Sequence, residues 1–299
     1  MATLRDIRQR IGAVKNTAKI TSAMKMVAAA KLRRAQEAIM SARPYTLKLS
    51  EILTNLASAS DEDFFHPLLR KPKTVRSIAI VVVSSDRGLC GSFNANLLKA
   101  AIYHIEKTLP AQFPSAKISV VPIGKRAVSF FNKRTVPIIQ EYPDIFAKLD
   151  FSTAFDIASI ITDGFINEKY DRVEIFGNEF KSIIKQEVKH YSLLPLDNTK
   201  SEQKAKHQDG EMNNDYIFEP SRGEIMNELL PKFLNLQVWT ALLESNAAEQ
   251  AARMMAMDNA TTNARDLIRA LQLQYNKARQ ASITKEMLEI VGGAEALRK

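Results

Sequence analysis

The chain has 299 residues, of which 45% are hydrophobic and 25% charged, and its formal net charge is +9. This length allows one or two domains with a substantial core, and the single Cys90 excludes both an internal disulfide and a metal site built from several cysteines. No apolar run reaches the roughly 18 residues needed to span a bilayer, and the N-terminus lacks the apolar stretch of a signal peptide, so we interpret it as mature protein.

The positive charge is concentrated at the N-terminus. Residues 1–50 contain eleven Lys and Arg side chains against two acidic ones, Asp6 and Glu37, and this difference equals the whole net charge. A basic helix of this kind predicts an acidic partner surface: nucleic acid, anionic lipid or protein. Nucleic acid is the weaker alternative, because the basic residues share their helix with an apolar seam and have no aromatic residues among them.

The first predicted helix opens at Thr3, where Thr3 and Asp6 have the spacing of a capping box. Apolar positions then recur at intervals of three and four residues, which predicts a seam that packs along a partner helix. The seam positions, with a slight drift after the sixth, are Leu4, Ile7, Ile11, Val14, Ala18, Thr21, Met24, Val27, Leu32, Ala35 and Ile39. Pro44 predicts the first break in this helix.

Strands and helices alternate through the middle of the chain, which predicts an α/β unit with a largely parallel sheet. The predicted strands are 77–84, 117–123, 172–176 and 188–193, and the predicted helices are 94–107, 126–133 and 152–166. Residues 197–215 are polar with few apolar anchors, so we expect a mobile excursion there, followed by a short strand at 216–220.

The longest predicted helix covers residues 232–291, which contain no Gly or Pro and consist mostly of strong helix formers. Ser221 and Glu224 form a second capping box ahead of it, and Pro231 starts or kinks it. Its expected seam is Ala260, Ala264, Leu267, Leu271, Ala278 and Ala281, and its expected end is Gly292-Gly293. About sixty residues make a helix of roughly 90 Å, which is too long for one domain of this size and therefore needs a partner helix.

The chemical motifs are weak. The strand, turn and helix at residues 77–107 suggest a nucleotide site, but Gly88 and Gly91 are followed by Ser92-Phe93 instead of the Lys of a P-loop, and a GxGxxG spacing is absent. The histidines, His66, His104, His190 and His207, are scattered without paired-ligand spacing, so no metal is predicted. No pattern places a nucleophile beside a base, so we predict no catalytic residue and no cofactor.

Three stretches of the chain resemble the γ subunit of F-type ATP synthases. They are ITSAMKMVAAAK at 20–31, SDRGLCG at 85–91, and ARQASITKE at 278–286 with EIVGGA at 289–294. In the last block, Thr284, Glu286, Glu289, Gly293 and Ala294 have the spacing of the family. The resemblance runs from the first helix to the last and is interrupted mainly by residues 197–215.

The resemblance implies the α/β fold of a central stalk: a long antiparallel coiled coil of the terminal helices, 1–58 and 221–299, with an inserted Rossmann-like domain at 75–220. It implies a non-catalytic rotor shaft that couples proton-driven rotation of the membrane c-ring to conformational changes in the catalytic β subunits. The implied partners are the α and β subunits of the hexamer, the ε subunit and the c-ring. The implied location is peripheral, at the cytoplasmic face of a bacterial plasma membrane, with a processed organellar form as the alternative.

The resemblance also implies two sets of contact residues. Those expected to meet the hexamer are Met24, Lys25, Arg253, Arg279, Gln280, Thr284 and Glu286, and those expected at the foot, against the c-ring and ε, are Lys31, Arg33, Arg34, Tyr216 and Glu219. Met254, Met255 and Met257 are expected to fill the core between the helices. The alternative function is a nucleotide-responsive coiled-coil adaptor that would use the turn at 84–92.

Overall fold

A computed structural model of the protein describes residues 3–58, 66–196, 219 and 221–296. The elements in chain order are α1 (Leu4–Ser58), a 3-10 turn (Pro67–Leu69), β1 (Ser77–Val83), α2 (Phe93–Tyr103), a π-helical turn (His104–Thr108), α3 (Leu109–Gln112), β2 (Lys117–Ile123), α4 (Lys125–Phe131), a second 3-10 turn (Ile145–Ala147), α5 (Phe151–Ile166), β3 (Arg172–Phe180), β4 (Gln186–Leu194) and α6 (Arg222–Ala296). The protein is therefore of the predicted mixed α/β class, with a long helix at each end.

The chain divides into two compact units, and both long helices contribute to each. The first unit combines residues 1–29 with 253–299, and the second comprises residues 30–252. The sequence suggests a different division, into terminal helices at 1–58 and 221–299 and an inserted domain at 75–220. That division follows the secondary structure and stays a prediction. The expected excursion at 197–215 and the expected strand at 216–220 lie outside the described residues, apart from Glu219.

The second unit is built on a four-stranded sheet in the order β2-β1-β3-β4. Strands β2, β1 and β3 are parallel, and β4 returns antiparallel to β3 as a hairpin, so the predicted largely parallel sheet is confirmed. Alternate residues of the central strand β1 enter two separate cores, because neighbouring side chains of a strand point to opposite faces. Val81 packs with α5 and α6, whereas Ile80 packs with α2 and α4.

The first predicted capping box forms in full, and one of the two hydrogen bonds of the second is present. At the start of α1, the Thr3 amide donates to Asp6 Oδ2 over 3.0 Å, and the Asp6 amide donates to Thr3 Oγ1 over 3.2 Å. Hydrogen bonds from the side chain and the amide of Thr3 to the Asp6 carboxyl lower its pKa. Ahead of α6, the Glu224 amide donates to Ser221 Oγ over 3.3 Å. Sequence spacing therefore located both helix starts correctly.

The predicted interruptions of the long helices are wrong. Helix α1 continues through Pro44 to Ser58. Pro44 lacks the amide that would bond to the carbonyl of Met40, but both residues are exposed, so water can hydrate that carbonyl. Helix α6 begins before Pro231 and passes Gly292-Gly293 to reach Ala296. Neither glycine has the positive φ of a helix stop, and helical backbone is open to glycine at a cost of about 1 kcal/mol.

Candidate functional site

Two polar contacts fix how the helices pair in the first unit. Thr21 Oγ1 lies 2.8 Å from Thr261 Oγ1, and both side chains are buried. Lys25 Nζ lies 2.7 Å from Asp258 Oδ1. From the first contact to the second, the residue number increases on α1, from 21 to 25, and decreases on α6, from 261 to 258. The two helices are therefore antiparallel, as predicted.

Burial along α1 in this unit follows an unbroken heptad pattern, with no drift. The heptad positions Leu4, Ile7, Ile11, Val14, Ala18, Thr21, Lys25 and Ala28 are all buried or half-buried, and Ser22, Met24 and Ala29 beside them are half-buried. Of the seam positions predicted after Thr21, Leu32 and Ala35 are buried and Met24 and Ile39 are half-buried. Val27 is the one wrong assignment, because it is 57% exposed whereas Ala28 beside it is 1% exposed. Lys25, next to Met24, continues the heptad, and its charge is balanced there by Asp258.

The seam of α6 shows the same spacing. Its heptad positions Met257, Thr261, Ala264, Ile268, Leu271, Tyr275, Ala278 and Ser282 are all buried or half-buried, and Asp258 and the predicted seam residue Ala260 beside them are half-buried. The sequence assigned Leu267 and Ala281 to the seam, and both are exposed, so those two assignments are wrong. Met257 is buried and Met254 and Met255 are half-buried, in agreement with their expected role as core filler.

Among the described residues, the register of the pair leaves the end of α6 with no part of α1 opposite it. In an antiparallel pair, the numbers of two facing residues add up to a constant, which is 282 or 283 for these two contacts. The residue opposite Thr3 is therefore at 279 or 280. Helix α6 therefore extends about 24 Å beyond the start of α1, and we call residues 281–296 the α6 overhang. Its large apolar side chains, Ile283, Met287, Leu288, Ile290 and Val291, are all exposed. Contiguous exposed apolar groups of this kind mark an interaction surface.

Four of the predicted hexamer contacts gather at this end of α6. Arg279, Gln280, Thr284 and Glu286 are all exposed. Thr284 Oγ1 donates to the carbonyl of Gln280 over 2.9 Å, and Ser282 Oγ donates to Glu286 Oε1 over 3.4 Å. These bonds are internal to the helix, so the outward surface of the stretch is open to a partner.

The other predicted hexamer contacts lie apart from this group. Met24 and Lys25 are half-buried on α1, at the level of the Asp258 ion pair. Arg253 is 9% exposed and so presents little surface to a partner. All seven assignments stay predictions.

The predicted foot residues fall in the second unit. Lys31, Arg33 and Arg34 are exposed on α1, and Arg33 Nε lies 3.1 Å from Glu37 Oε1. Glu219 is exposed, whereas Tyr216 lies outside the described residues. An exposed cationic stretch on a helix favours an acidic or polar partner surface.

Asp86 organises the glycine-containing turn after β1. Its Oδ1 accepts from the amides of Lys125 and Asp144, both over 3.0 Å, and its Oδ2 accepts from the amide of Phe146 over 2.9 Å. A carboxylate bound to three amides occupies the kind of position that a phosphate takes in a nucleotide loop. The left-handed φ of 60° at Gly91 is the backbone reason for a glycine there. Cys90 beside it packs against Phe93 and Ala248, so the turn also helps to seat α2 and α6.

One cluster escaped the sequence reasoning. His104 at the end of α2 and His190 on β4 both place Nε2 2.7 Å from Glu174 Oε2, and Arg172 Nε lies 2.5 Å from Glu174 Oε1. Burial would raise the pKa of Glu174, but the hydrogen bond from His190 and the charges of Arg172 and the histidines outweigh it and lower the pKa to about 2. Burial lowers the pKa of His104, against the opposing pull of Glu174.

Part of this cluster could have been found from the register of the β3–β4 hairpin. His190 is the partner of Phe176 across the β3–β4 ladder, so it lies diagonally to Glu174 on the same face of the sheet. The contribution of His104, 70 residues before Glu174, depends on how α2 packs on the sheet. Within the described ranges, these three side chains are the group of donors close enough to hold a metal ion together.

No helix within the described part of the chain is both long enough and apolar enough for a membrane span.

Comparison with known proteins gives a consistent result over the whole chain. Residues 3–297 match the family described as ATP synthase. The ATP synthase gamma chain of Chlorobium phaeobacteroides is 48% identical over 298 residues, with 100% of both chains covered. That of Chloroherpeton thalassium is 46% identical over 305 residues, covering 100% of this chain and 99% of the relative.

Solved structures agree with the sequence relatives. A chain of the Tetrahymena thermophila mitochondrial ATP synthase central stalk and c-ring is 26% identical, with a TM-score of 0.55, and the match covers 81% of this chain and 99% of that one. A chain of the Euglena gracilis mitochondrial ATP synthase is 19% identical with a TM-score of 0.66, covering 98% and 94% of the two chains, and it supports the fold.

Proposed function

This chain belongs to the family of ATP synthase gamma chains, and on that premise we propose that it is the central rotor shaft of an F-type ATP synthase. In this role it couples proton-driven rotation of the c-ring to sequential conformational changes in the catalytic β subunits, for synthesis or, in reverse, hydrolysis of ATP. The observation that carries the proposal is the full-length match to gamma chains at 46–48% identity, joined to a helix pair that leaves the α6 overhang unpaired.

The α6 overhang has the surface that a coupling element needs. Ile283, Met287 and Ile290 follow one another at intervals of four and three residues, so they share one face of the helix. Lys285 and Glu289, whose Nζ and Oε1 lie 3.6 Å apart, are on the other side. A shaft can drive a partner between states only if it interacts differently with each state. A helix with one apolar and one charged face meets that condition as it turns inside a ring of subunits.

We assign the polar contacts of the hexamer to Arg279, Gln280, Thr284 and Glu286 around this surface, with Met24, Lys25 and Arg253 nearer the paired part. The exposure of the first four supports this assignment. Arg253 is buried, so its role would be exercised through its neighbours or after a local rearrangement.

The chain itself is proposed to catalyse nothing, with nucleotide chemistry confined to the β subunits. The Asp86 carboxylate supports this view, because it puts a negative charge in the glycine-containing turn and is held there by the amides of Lys125, Asp144 and Phe146, and a negative charge disfavours a phosphate. The nucleotide-responsive adaptor is correspondingly disfavoured.

As a gamma chain, the protein is a subunit of a membrane complex. We propose that it is peripheral, at the cytoplasmic face of a bacterial plasma membrane, since its relatives include the gamma chains of Chlorobium species. Lys31, Arg33, Arg34, Tyr216 and Glu219 are proposed to form the foot against the c-ring and the ε subunit. The three exposed cations on α1 support this assignment.

Reconstitution tests the proposal. The chain, co-expressed with its cognate α and β subunits, is expected to co-purify with them and to be required for steady ATP hydrolysis by the complex. The isolated chain is expected to hydrolyse no ATP and, in calorimetric titration, to bind neither ATP nor ADP. ATP hydrolysis by the isolated chain would contradict the rotor function. Nucleotide binding by a chain that does not assemble with α and β subunits would favour the alternative function, a nucleotide-responsive adaptor.

A further inference from the structure

We propose that His104, Glu174 and His190 form a zinc site in the second unit, independent of the rotor surfaces. The donor atoms of these three side chains lie within 4.8 Å of one another. Two imidazole nitrogens and one carboxylate oxygen make up a ligand set that Zn²⁺ commonly takes in proteins when a water molecule completes the tetrahedron.

The three ligands come from separate elements that converge on one point. His104 follows α2, Glu174 lies on β3 and His190 lies on β4. The side chain of Glu174 is 1% exposed, that of His104 is 13% exposed and that of His190 is 32% exposed. The site is therefore closed on the sheet side and open to solvent past His190, which gives the ion a path of entry and room for a water ligand.

The rings are held in place before any ion arrives. Phe176 stacks on the imidazole of His190 with ring centres 4.2 Å apart and planes 15° apart, and it lies 5.3 Å from the His104 ring. The imidazoles themselves are 4.3 Å apart. Both direct Nε2 at the same carboxylate oxygen, so little side-chain entropy remains to be lost on binding.

The required rearrangement is small. Each Nε2 is now 2.7 Å from Glu174 Oε2, as hydrogen-bonded atoms are. Ligand atoms around a tetrahedral Zn²⁺ with bonds of about 2.0–2.1 Å are roughly 3.3 Å apart, so each nitrogen must move about 0.6 Å away from the carboxylate oxygen. In the present arrangement each Nε2 donates its proton to that oxygen. To bind zinc, each neutral imidazole shifts this proton to Nδ1, so that the lone pair of Nε2 faces the ion.

Arg172 determines which carboxylate oxygen binds. Its Nε lies 2.5 Å from Glu174 Oε1, so that oxygen is already engaged and Oε2 is left as a single ligand. A group that hydrogen-bonds to a metal-binding carboxylate orients it. The charge of Arg172 also repels a cation, so it must weaken zinc binding relative to a neutral residue in its place.

The experiment measures zinc bound by the untagged full-length chain after equilibrium dialysis against ZnCl₂ in metal-free buffer. The wild type is expected to retain one zinc ion per chain. Glu174→Gln and His190→Gln are expected to bind at least about tenfold more weakly, because each removes one of three protein ligands. His66→Asn, which removes a histidine outside the cluster, is expected to bind as the wild type does.

Two further readouts separate a site from a purely structural hydrogen-bond cluster. Arg172→Gln is expected to bind zinc more tightly, whereas a structural cluster gives no gain. Co²⁺ in place of Zn²⁺ is expected to give the visible absorption of a tetrahedral ion, and the band is expected to be absent from His190→Gln. No stoichiometric zinc on the wild type, or equal binding by wild type and His190→Gln, would overturn the proposal. Since His190 is partly exposed, its variant tests the site even if Glu174→Gln fails to fold.

Discussion

Lys25 Nζ and Asp258 Oδ1 lie 2.7 Å apart and join α1 to α6 one helical turn from the buried contact between Thr21 and Thr261. Both charged side chains are more than two-fifths exposed, at 42% and 46%, so water and salt screen the pair. In a double-mutant cycle of Lys25→Ala and Asp258→Ala, we expect a coupling energy of about 0.2–1 kcal/mol. Urea unfolding at low and high salt measures it, with Lys15→Ala as the control for an exposed lysine on α1. A coupling above this range, or one insensitive to salt, would contradict the screened geometry.

The two threonines should show the opposite pattern. Thr21→Val alone or Thr261→Val alone leaves the other hydroxyl without its cross-helix partner and should reduce the free energy of unfolding by about 1 kcal/mol. Each hydroxyl has one proton, so one of the two donates across the helices and the other donates within its own helix. The cost is moderated because the hydroxyl that remains can donate within its helix, Thr21 to the carbonyl of Thr17 over 3.1 Å or Thr261 to that of Met257 over 2.7 Å. The double valine variant should be close to wild type, since no buried hydroxyl is then unpaired. Additive losses in chemical unfolding would exclude this account.

The corrected seam predicts different effects at two neighbouring positions. Ala28→Leu inserts three extra carbons at a position that is 1% exposed and should cost about 1–3 kcal/mol. Val27→Ala, at a position that is 57% exposed, should change stability by less than about 0.5 kcal/mol. Thermal unfolding of the two variants checks the shift, and a reversed order would restore the seam that the sequence suggested.

Stability should fall as the pH decreases from about 7 to 5. His66 Nδ1 accepts a hydrogen bond from the Leu68 amide over 3.1 Å, and burial lowers the pKa of this imidazole. The unfolded chain, with an ordinary histidine pKa of about 6.5, therefore takes up a proton before the folded chain does, and unfolding becomes easier as pH falls. For one histidine the slope is at most about 1.4 kcal/mol per pH unit.

His66→Asn provides the matched variant for this dependence, because asparagine can still accept at the start of the 3-10 turn. The slope of unfolding free energy against pH should become smaller in the variant. Some slope should remain, because burial also lowers the pKa of His104. An unchanged slope would remove His66 from the explanation.

The proposed hexamer contacts Arg279 and Gln280, which directly precede the α6 overhang, predict a loss of coupling without a loss of folding. Arg279→Ala with Gln280→Ala should lower ATP synthesis or steady hydrolysis of the assembled complex about five- to tenfold, on the basis of about 1 kcal/mol for lost polar contacts. Both side chains are exposed, so the melting temperature of the isolated chain should not change. Lys99→Ala, an exposed lysine on α2, is the control. Normal turnover in the double variant would remove both residues from the site.

Features governed by local chemistry were predictable from the sequence. Thr3 with Asp6 and Ser221 with Glu224 cap the helices through contacts three residues apart, and the apolar run of β1 reflects burial on both faces. The seam beyond Thr21 was less certain because Val27 and Ala28 are adjacent and both apolar. The Thr21–Thr261 and Lys25–Asp258 contacts, which join residues 240 and 233 positions apart, decide which of them faces α6.

Pro44 and the histidine cluster mark the limits of such reasoning for other reasons. A proline can end a helix, or it can lie on an exposed side of the helix where water hydrates the carbonyl that has lost its hydrogen bond. The sequence alone does not show which of these applies to Pro44. His104, Glu174 and His190 have no common spacing, because their meeting depends on a hairpin register and on the packing of α2. Family resemblance supplied the contact residues of the α6 overhang, which residue pattern alone would not have separated from other exposed helix positions.

The pair of threonine hydroxyls has a consequence for the mechanics of the helix pair. A slip of one heptad would place the Thr21 hydroxyl opposite Met254 or Ile268 and remove its cross-helix partner, while the bond to the carbonyl of Thr17 remains, at a cost of about 1 kcal/mol. Thr21 and Thr261 thus fix the register of α1 against α6, and the register determines how many residues of α6 extend past Thr3. A rotor shaft must transmit torque without a change of register between its helices. In this chain, two hydroxyl groups about twenty residues from the end of the pair fix the length of α6 that extends beyond it.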